Sequence, residues 1–164
     1  MTTPLLAMLL GAAAVKVGDR APDFTLPDTE GNSVTLSKLL EKGPVILAFY
    51  PKAFTPGCTQ QNKNFRDHFG EVSAKGAQVL GISVDSVETQ RKFRAEYQLP
   101  FPLLSDQGGK VAEQYAGKMP VVGFANRANV VVGEDGLVKA IVEGGDAVDP
   151  TSAIASCPLR HKAS

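Results

Sequence analysis

Three apolar runs of strand length, PVILAFY (44–50), AQVLGISV (77–84) and ANVVV (128–132), constrain this chain more than anything else in it. Each is continuous rather than alternating, and rich in β-branched and aromatic residues. That is the pattern of a strand covered on both faces. Between the second and third runs, VETQRKFRAEYQ (87–98) reads as a helix with Val87, Phe93 and Tyr97 on its buried side, and GGKVAEQYA (108–116) as a shorter one. Strand and helix thus alternate from about residue 44 onward, which predicts an α/β fold. VVGEDGLVKAIVE (131–143) departs from the pattern: two strands around Asp135-Gly136 form a hairpin, so the central sheet is expected to be mixed. Upstream, DFTLPD and NSVTL are short strands about the turn TEGN, and SKLLEK is a brief helix capped by Ser37. DPTSAIASCP closes the chain as a helix started by Asp149 and Pro150 and stopped by Pro158.

A length of 164 residues suits one domain with a substantial core. Seventeen basic residues balance seventeen acidic ones, which removes the electrostatic reason to expect nucleic acid or an anionic membrane as partner. Residues 1–15 stand apart as an apolar N-terminal arm, expected to form a helix capped by Thr3 that docks on the domain or on a second copy; the domain proper is expected over 16–164. The arm is too short to span a bilayer and has no Lys or Arg before it, which weighs against an export signal. A cytoplasmic protein, monomeric or homodimeric, is the expectation, with export as the alternative should residues 1–14 act as a signal.

The chemistry is concentrated at one corner, FYPKAFTPGCTQQ (49–61). A buried strand ends there and a helix begins, the place where functional groups collect in open α/β sheets. Thr55 suits the N-cap, Pro56 the first helical position, and Gly57 a close backbone turn, leaving Cys58 in the first helical turn. Unpaired backbone N–H groups and the helix macrodipole favour an anion there, and a thiolate is one. A free thiol titrates at about 8.5 and is only a few per cent ionised at neutral pH. Bringing a thiol down to about 6 takes about 3.4 kcal/mol, more than a helix terminus supplies. A fixed cation from elsewhere in the chain is therefore expected.

YPKAFTPGCT resembles the peroxiredoxin active-site motif Pro-x-x-x-Thr-x-x-Cys, here Pro51, Thr55 and Cys58. The likeness extends through GDRAPDFTLPD, GAQVLGISVDS and YQLPFPLLSDQGGKVAEQY, and is closest to the bacterioferritin-comigratory, or Q-type, branch. The resemblance implies a thioredoxin-like fold, a central mixed sheet flanked by helices, and reduction of hydrogen peroxide or organic hydroperoxides by Cys58, which becomes a sulfenic acid. It further implies that Pro51 shields the thiolate, that Thr55 hydrogen-bonds the peroxide, and that Arg127, at the head of RANVVV, is the cation that steadies both. Thioredoxin or a similar thiol is the implied reductant, and no metal or organic cofactor is required.

Each residue also has a plainer reading. Cys58 as a small packing residue, Thr55 as a cap only, Arg127 as a solvated strand-end arginine and Pro51 as a strand terminator are the alternatives. His68 and His161 lack metal-ligand spacing, and QGGK is a turn before a helix rather than a phosphate loop. Two positions depart from the branch. Its resolving cysteine often lies five residues after the peroxidatic one, where this chain has Lys63, and it commonly carries Glu at the position of Gln61. Either an external thiol reduces Cys58 directly, or Cys157 is the candidate resolving cysteine. Gln61 also rules out a Cys-x-x-Cys oxidoreductase. A non-enzymatic redox sensor or holdase remains the alternative of a different class.

Overall fold

The computed structural model describes residues 14–161. Of the expected N-terminal arm, residues 1–15, the first thirteen lie outside that range, and residues 14 and 15 are not helical. The first two strands, β1 (Thr25–Pro27) and β2 (Ser33–Thr35), form the expected antiparallel hairpin, with Leu26 opposite Val34. Helix α1 (Leu36–Leu40) follows, but Ser37 does not cap it. The N-cap position is Thr35, without a side-chain capping bond, and Ser37 lies inside the first turn. Asp23, fourteen residues upstream, accepts from the Ser37 N–H at 2.9 Å and hydroxyl at 2.8 Å, so a distant carboxylate does what a local cap was expected to do.

The main sheet has five strands in the order β5-β4-β3-β6-β7: Leu103–Ser105, Gln78–Ser83, Val45–Phe49, Ala128–Val132 and Val138–Glu143. Strand β3 runs parallel to β4, and β4 to β5; β6 is antiparallel to β3, and β7 to β6. It is the mixed sheet that the apolar runs and the Asp135-Gly136 hairpin predict. All five residues of β3 are fully buried, as a strand covered on both faces requires. Side chains alternate between two cores. Ile46, Ala48 and Tyr50 pack on one face with Phe65, Phe93 and Val131; Val45, Leu47 and Phe49 pack on the other with Leu80, Ile82, Tyr115 and Val130. Each large aliphatic or aromatic side chain so buried contributes about 1.5–3 kcal/mol.

The helices are α2 (Pro56–Asp67), α3 (Phe69–Ala74), α4 (Val87–Glu96), α5 (Lys110–Tyr115) and α6 (Thr151–Ser156), with a 3-10 turn over Gly144–Val148. On α4, Phe93 is buried as expected, but its companion is Gln90, while Val87 and Tyr97 are only half covered. Gln90 is tolerated in the core because both ends of its amide are used, accepting from the Tyr50 hydroxyl at 2.6 Å and donating to the Leu104 carbonyl at 2.8 Å. Gly81 in β4 marks where α2 presses on the sheet: a Cβ there would come within 2.5 Å of Leu103 and 3.1 Å of the Asn62 side chain. Helix α6 ends one residue short of Cys157, which is extended (φ −73°, ψ 124°) and buried. Its setting is firmer than a fraying terminus, because the Lys75 ammonium donates to the carbonyls of Ile154 and Cys157.

Candidate active site

Sheet topology brings the candidate residues together. In the β3–β6 register Phe49 lies opposite Ala128, so Arg127 enters β6 where β3 leaves the sheet. The loop from Tyr50 to Thr55 then carries the chain into α2. Its path is held by Asp85, beyond the end of β4, whose carboxylate accepts from the Ala53 N–H at 2.8 Å and the Ser83 hydroxyl at 2.6 Å. Phe54 adopts φ 68°, strained for an aromatic residue, and sets its ring against Phe93 at 5.1 Å. Tyr50 is sealed beneath, and burial pushes its hydroxyl far above the ordinary tyrosine range, so it stays a neutral donor to Gln90.

Thr55 is the N-cap by backbone geometry (φ −81°, ψ 152°), but its side chain does not cap. The hydroxyl donates to the Lys52 carbonyl at 2.7 Å. Having spent its proton inside the loop, the oxygen keeps its lone pairs. Pro56 occupies the first helical position as expected. Cys58 is a free thiol, 1% exposed. With no capping side chain, the first N–H groups of α2 point toward the same end of the helix as the thiol.

Arg127 reaches the thiol. One terminal nitrogen, Nη2, lies 3.6 Å from the Cys58 sulfur, and the other, Nη1, donates to Gln61 Oε1 at 2.7 Å. Gly57 has a reason other than a tight turn: a Cβ at that position would sit 2.7 Å from Nη2 and 3.4 Å from Cζ. The glycine makes room for the guanidinium. Gly57→Ala should therefore keep or raise the melting temperature, since alanine is favoured over glycine in a helix by about 0.5–1 kcal/mol, while moving Arg127 and lowering peroxide turnover. Parallel thermal melts and peroxidase assays check this; unchanged turnover would contradict it.

Pro51 and Arg127 wall a cleft of about 680 Å³ whose other sides are Met119, Asn126 and Glu143–Gly145. The five candidates do not all meet. Pro51, Thr55, Cys58 and Arg127 share the corner, whereas Cys157 belongs to the C-terminal segment, in the same core layer as Cys58 but unbonded to it. His68 is set within hydrogen-bond distance (2.8 Å) of the Asn64 carbonyl, and no cluster of metal-ligating side chains occurs among the described residues.

Sequence reasoning passed over Asn62, Asp85 and Asn129, and noted Gln61 without giving it a task. Asn62 is fully buried and donates to the Cys58 carbonyl at 2.9 Å. A signal was present: Asn129 interrupts an apolar strand, and Gln61 and Asn62 stand three and four residues after Cys58, on its face of the helix. Polar side chains in such places usually find partners; Gln61 and Asn129 do, whereas Asn62 Oδ1 is buried without one.

The profile described as the AhpC/TSA family matches residues 17–141. The chain belongs to this family. A peroxiredoxin bcp of Coxiella burnetii is 42% identical over 134 residues, covering 78% of this chain and 88% of that protein. The chloroplastic peroxiredoxin Q of Sedum lineare is 42% identical over 130 residues, 79% of this chain and 69% of that one. The crystal structure of peroxidoxin BcpB from Mycobacterium tuberculosis superposes with a TM-score of 0.82 at 39% identity, covering 87% of this chain and 96% of that one. This peroxiredoxin is of the bacterioferritin-comigratory, Q-type kind, with a thioredoxin-like fold, and is a thiol-dependent peroxidase: its substrate is a peroxide and its reductant a thiol. No helix among the described residues is long and apolar enough to cross a membrane.

Proposed function

We propose that the Cys58 thiolate attacks the O–O bond of hydrogen peroxide or an organic hydroperoxide. The sulfur takes one oxygen and becomes a sulfenic acid, and the other leaves as water or an alcohol after gaining a proton. The observation that supports this most is the Arg127 nitrogen 3.6 Å from the thiol at an uncapped helix N-terminus. Two sources of positive potential converge on one sulfur and on the oxygens that would lie beside it. The Thr55 oxygen accepts a hydrogen bond from the peroxide O–H, because its own proton is committed to the Lys52 carbonyl. Pro51 keeps water from the thiolate side of the cleft.

We assign the first step of regeneration to Cys157, whose sulfur displaces water from the sulfenic acid to form a disulfide with Cys58. Two thiol equivalents from thioredoxin or another external thiol then reduce that disulfide and restore both cysteines. Burial pushes the Cys157 thiol above the ordinary thiol range, against a smaller opposing pull from the Lys75 ammonium. The buried, neutral thiol stabilises the closed tail below the ordinary thiol value, and that contribution is lost as pH rises through the raised one. Opening of the tail, and with it disulfide formation, should therefore speed up toward alkaline pH. Treating the protein with one equivalent of peroxide, blocking free thiols and mapping peptides by mass spectrometry checks the assignment. A Cys58–Cys157 linkage is the expected product. Sulfenic acid at Cys58, or its over-oxidised sulfinic form on a fraction of the chains, with Cys157 fully alkylated would make this a one-cysteine enzyme.

A further inference from the structure

Gln61 and Asn129 are both fully buried, and their amides form a directed chain behind the thiol. Asn129 Nδ2 donates to the Ala147 carbonyl at 2.8 Å, which turns Asn129 Oδ1 toward Gln61. Gln61 Nε2 donates to that oxygen at 3.0 Å and to the Phe49 carbonyl at 3.3 Å. Its remaining atom, Oε1, accepts from Arg127 Nη1 at 2.7 Å. Backbone carbonyls fix one end of the chain, and arginine, which can only donate, fixes the other. Position 61 must consequently accept on one side and donate on the other. An amide does both. A glutamate would set a carboxylate oxygen against Asn129 Oδ1 and the Phe49 carbonyl, and turning Asn129 over would move the clash to Ala147.

Among the described residues Arg127 forms no ion pair. Its two terminal nitrogens bear on a neutral oxygen and on sulfur. Charged and titratable groups near the corner include Lys52 in the loop, whose ammonium lies over the Phe124 ring, Glu143 across the cleft, Asp85 behind the loop, and Tyr50, which burial holds neutral. Among the described residues no carboxylate touches the guanidinium to divide its charge.

We infer that Gln61 is a positioning residue that anchors Arg127 through a neutral acceptor and so reserves the full charge of the arginine for Cys58, with Asn129 keying the amide in the one orientation that permits it. This rests on Cys58 being the nucleophile. It explains why an asparagine stands inside a buried strand: the two amides satisfy each other.

The test is a double-mutant cycle on the full chain, read by thiolate ultraviolet absorbance against pH and by the rate of reaction with hydrogen peroxide. Gln61→Met keeps the volume but removes the acceptor. It should move the Cys58 titration up by about one pH unit and slow the peroxide reaction at neutral pH up to roughly tenfold. In an Arg127→Ala background the same substitution should change neither quantity further, because Gln61 acts only through the arginine. A wild-type titration in Gln61→Met, or an equal shift with and without Arg127, overturns the inference. If Gln61→Met does not fold, Asn129→Ala frees the amide to rotate and should shift the titration in the same direction, again only when Arg127 is present; a wild-type titration there overturns it equally. The titration needs no turnover, so it can fail on its own. Full peroxide consumption by Cys58→Ser would instead remove the reading on which it rests.

Discussion

Cys58→Ser should consume peroxide at less than about a hundredth of the wild-type rate, because loss of a covalent nucleophile costs orders of magnitude. The fold should survive. The thiol is 1% exposed, and a hydroxyl of nearly the same size still finds the Arg127 nitrogen that faces the sulfur. The check pairs a peroxide-consumption assay, with an excess of dithiol, with a thermal melt. A folded variant that retains more than a few per cent of activity would place the nucleophile elsewhere, and Cys157, also free, would be the next candidate.

Arg127→Ala should lower the rate with peroxide about a hundredfold or more, the usual cost of removing one donor aimed at developing oxyanion charge. Its thiolate absorbance should also appear at higher pH than in the wild type. The helix terminus remains, but its contribution of about 0.3–1 kcal/mol does not replace a guanidinium in contact with sulfur. Arg127→Lys separates charge from geometry. Lysine restores the cation but cannot bond Gln61 and reach Cys58 at once as the planar fork does, so recovery should be partial. If both variants titrate and turn over like the wild type, Arg127 is a cleft wall and nothing more.

The framework was legible because it is written in local patterns. PVILAFY, AQVLGISV and ANVVV are buried on both faces as their composition requires, and the Asp135-Gly136 turn does reverse the chain between β6 and β7. Strand β5 was not legible. Three residues between prolines and a turn carry too short a pattern, and Leu103–Ser105 is a strand only because β4 offers it an edge. Ser37 failed as a cap for a related reason: the better acceptor, Asp23, lies fourteen residues away in sequence.

At the corner, the sequence determined the proline, the helix start and a cysteine in the first turn, since turn and cap preferences act over a few residues. It could also name Arg127, but only through family resemblance. Tertiary structure decided what those residues touch. Opposing Phe49 and Ala128 across two antiparallel strands puts Arg127 against the first turn of α2, turns Gly57 from a hinge into a vacancy for a guanidinium, and makes Gln61 the neutral end of a buried amide chain. Hydrogen bonds between residues 61, 127 and 129 depend on strand register and on a few tenths of an ångström, and no pattern along the chain encodes either.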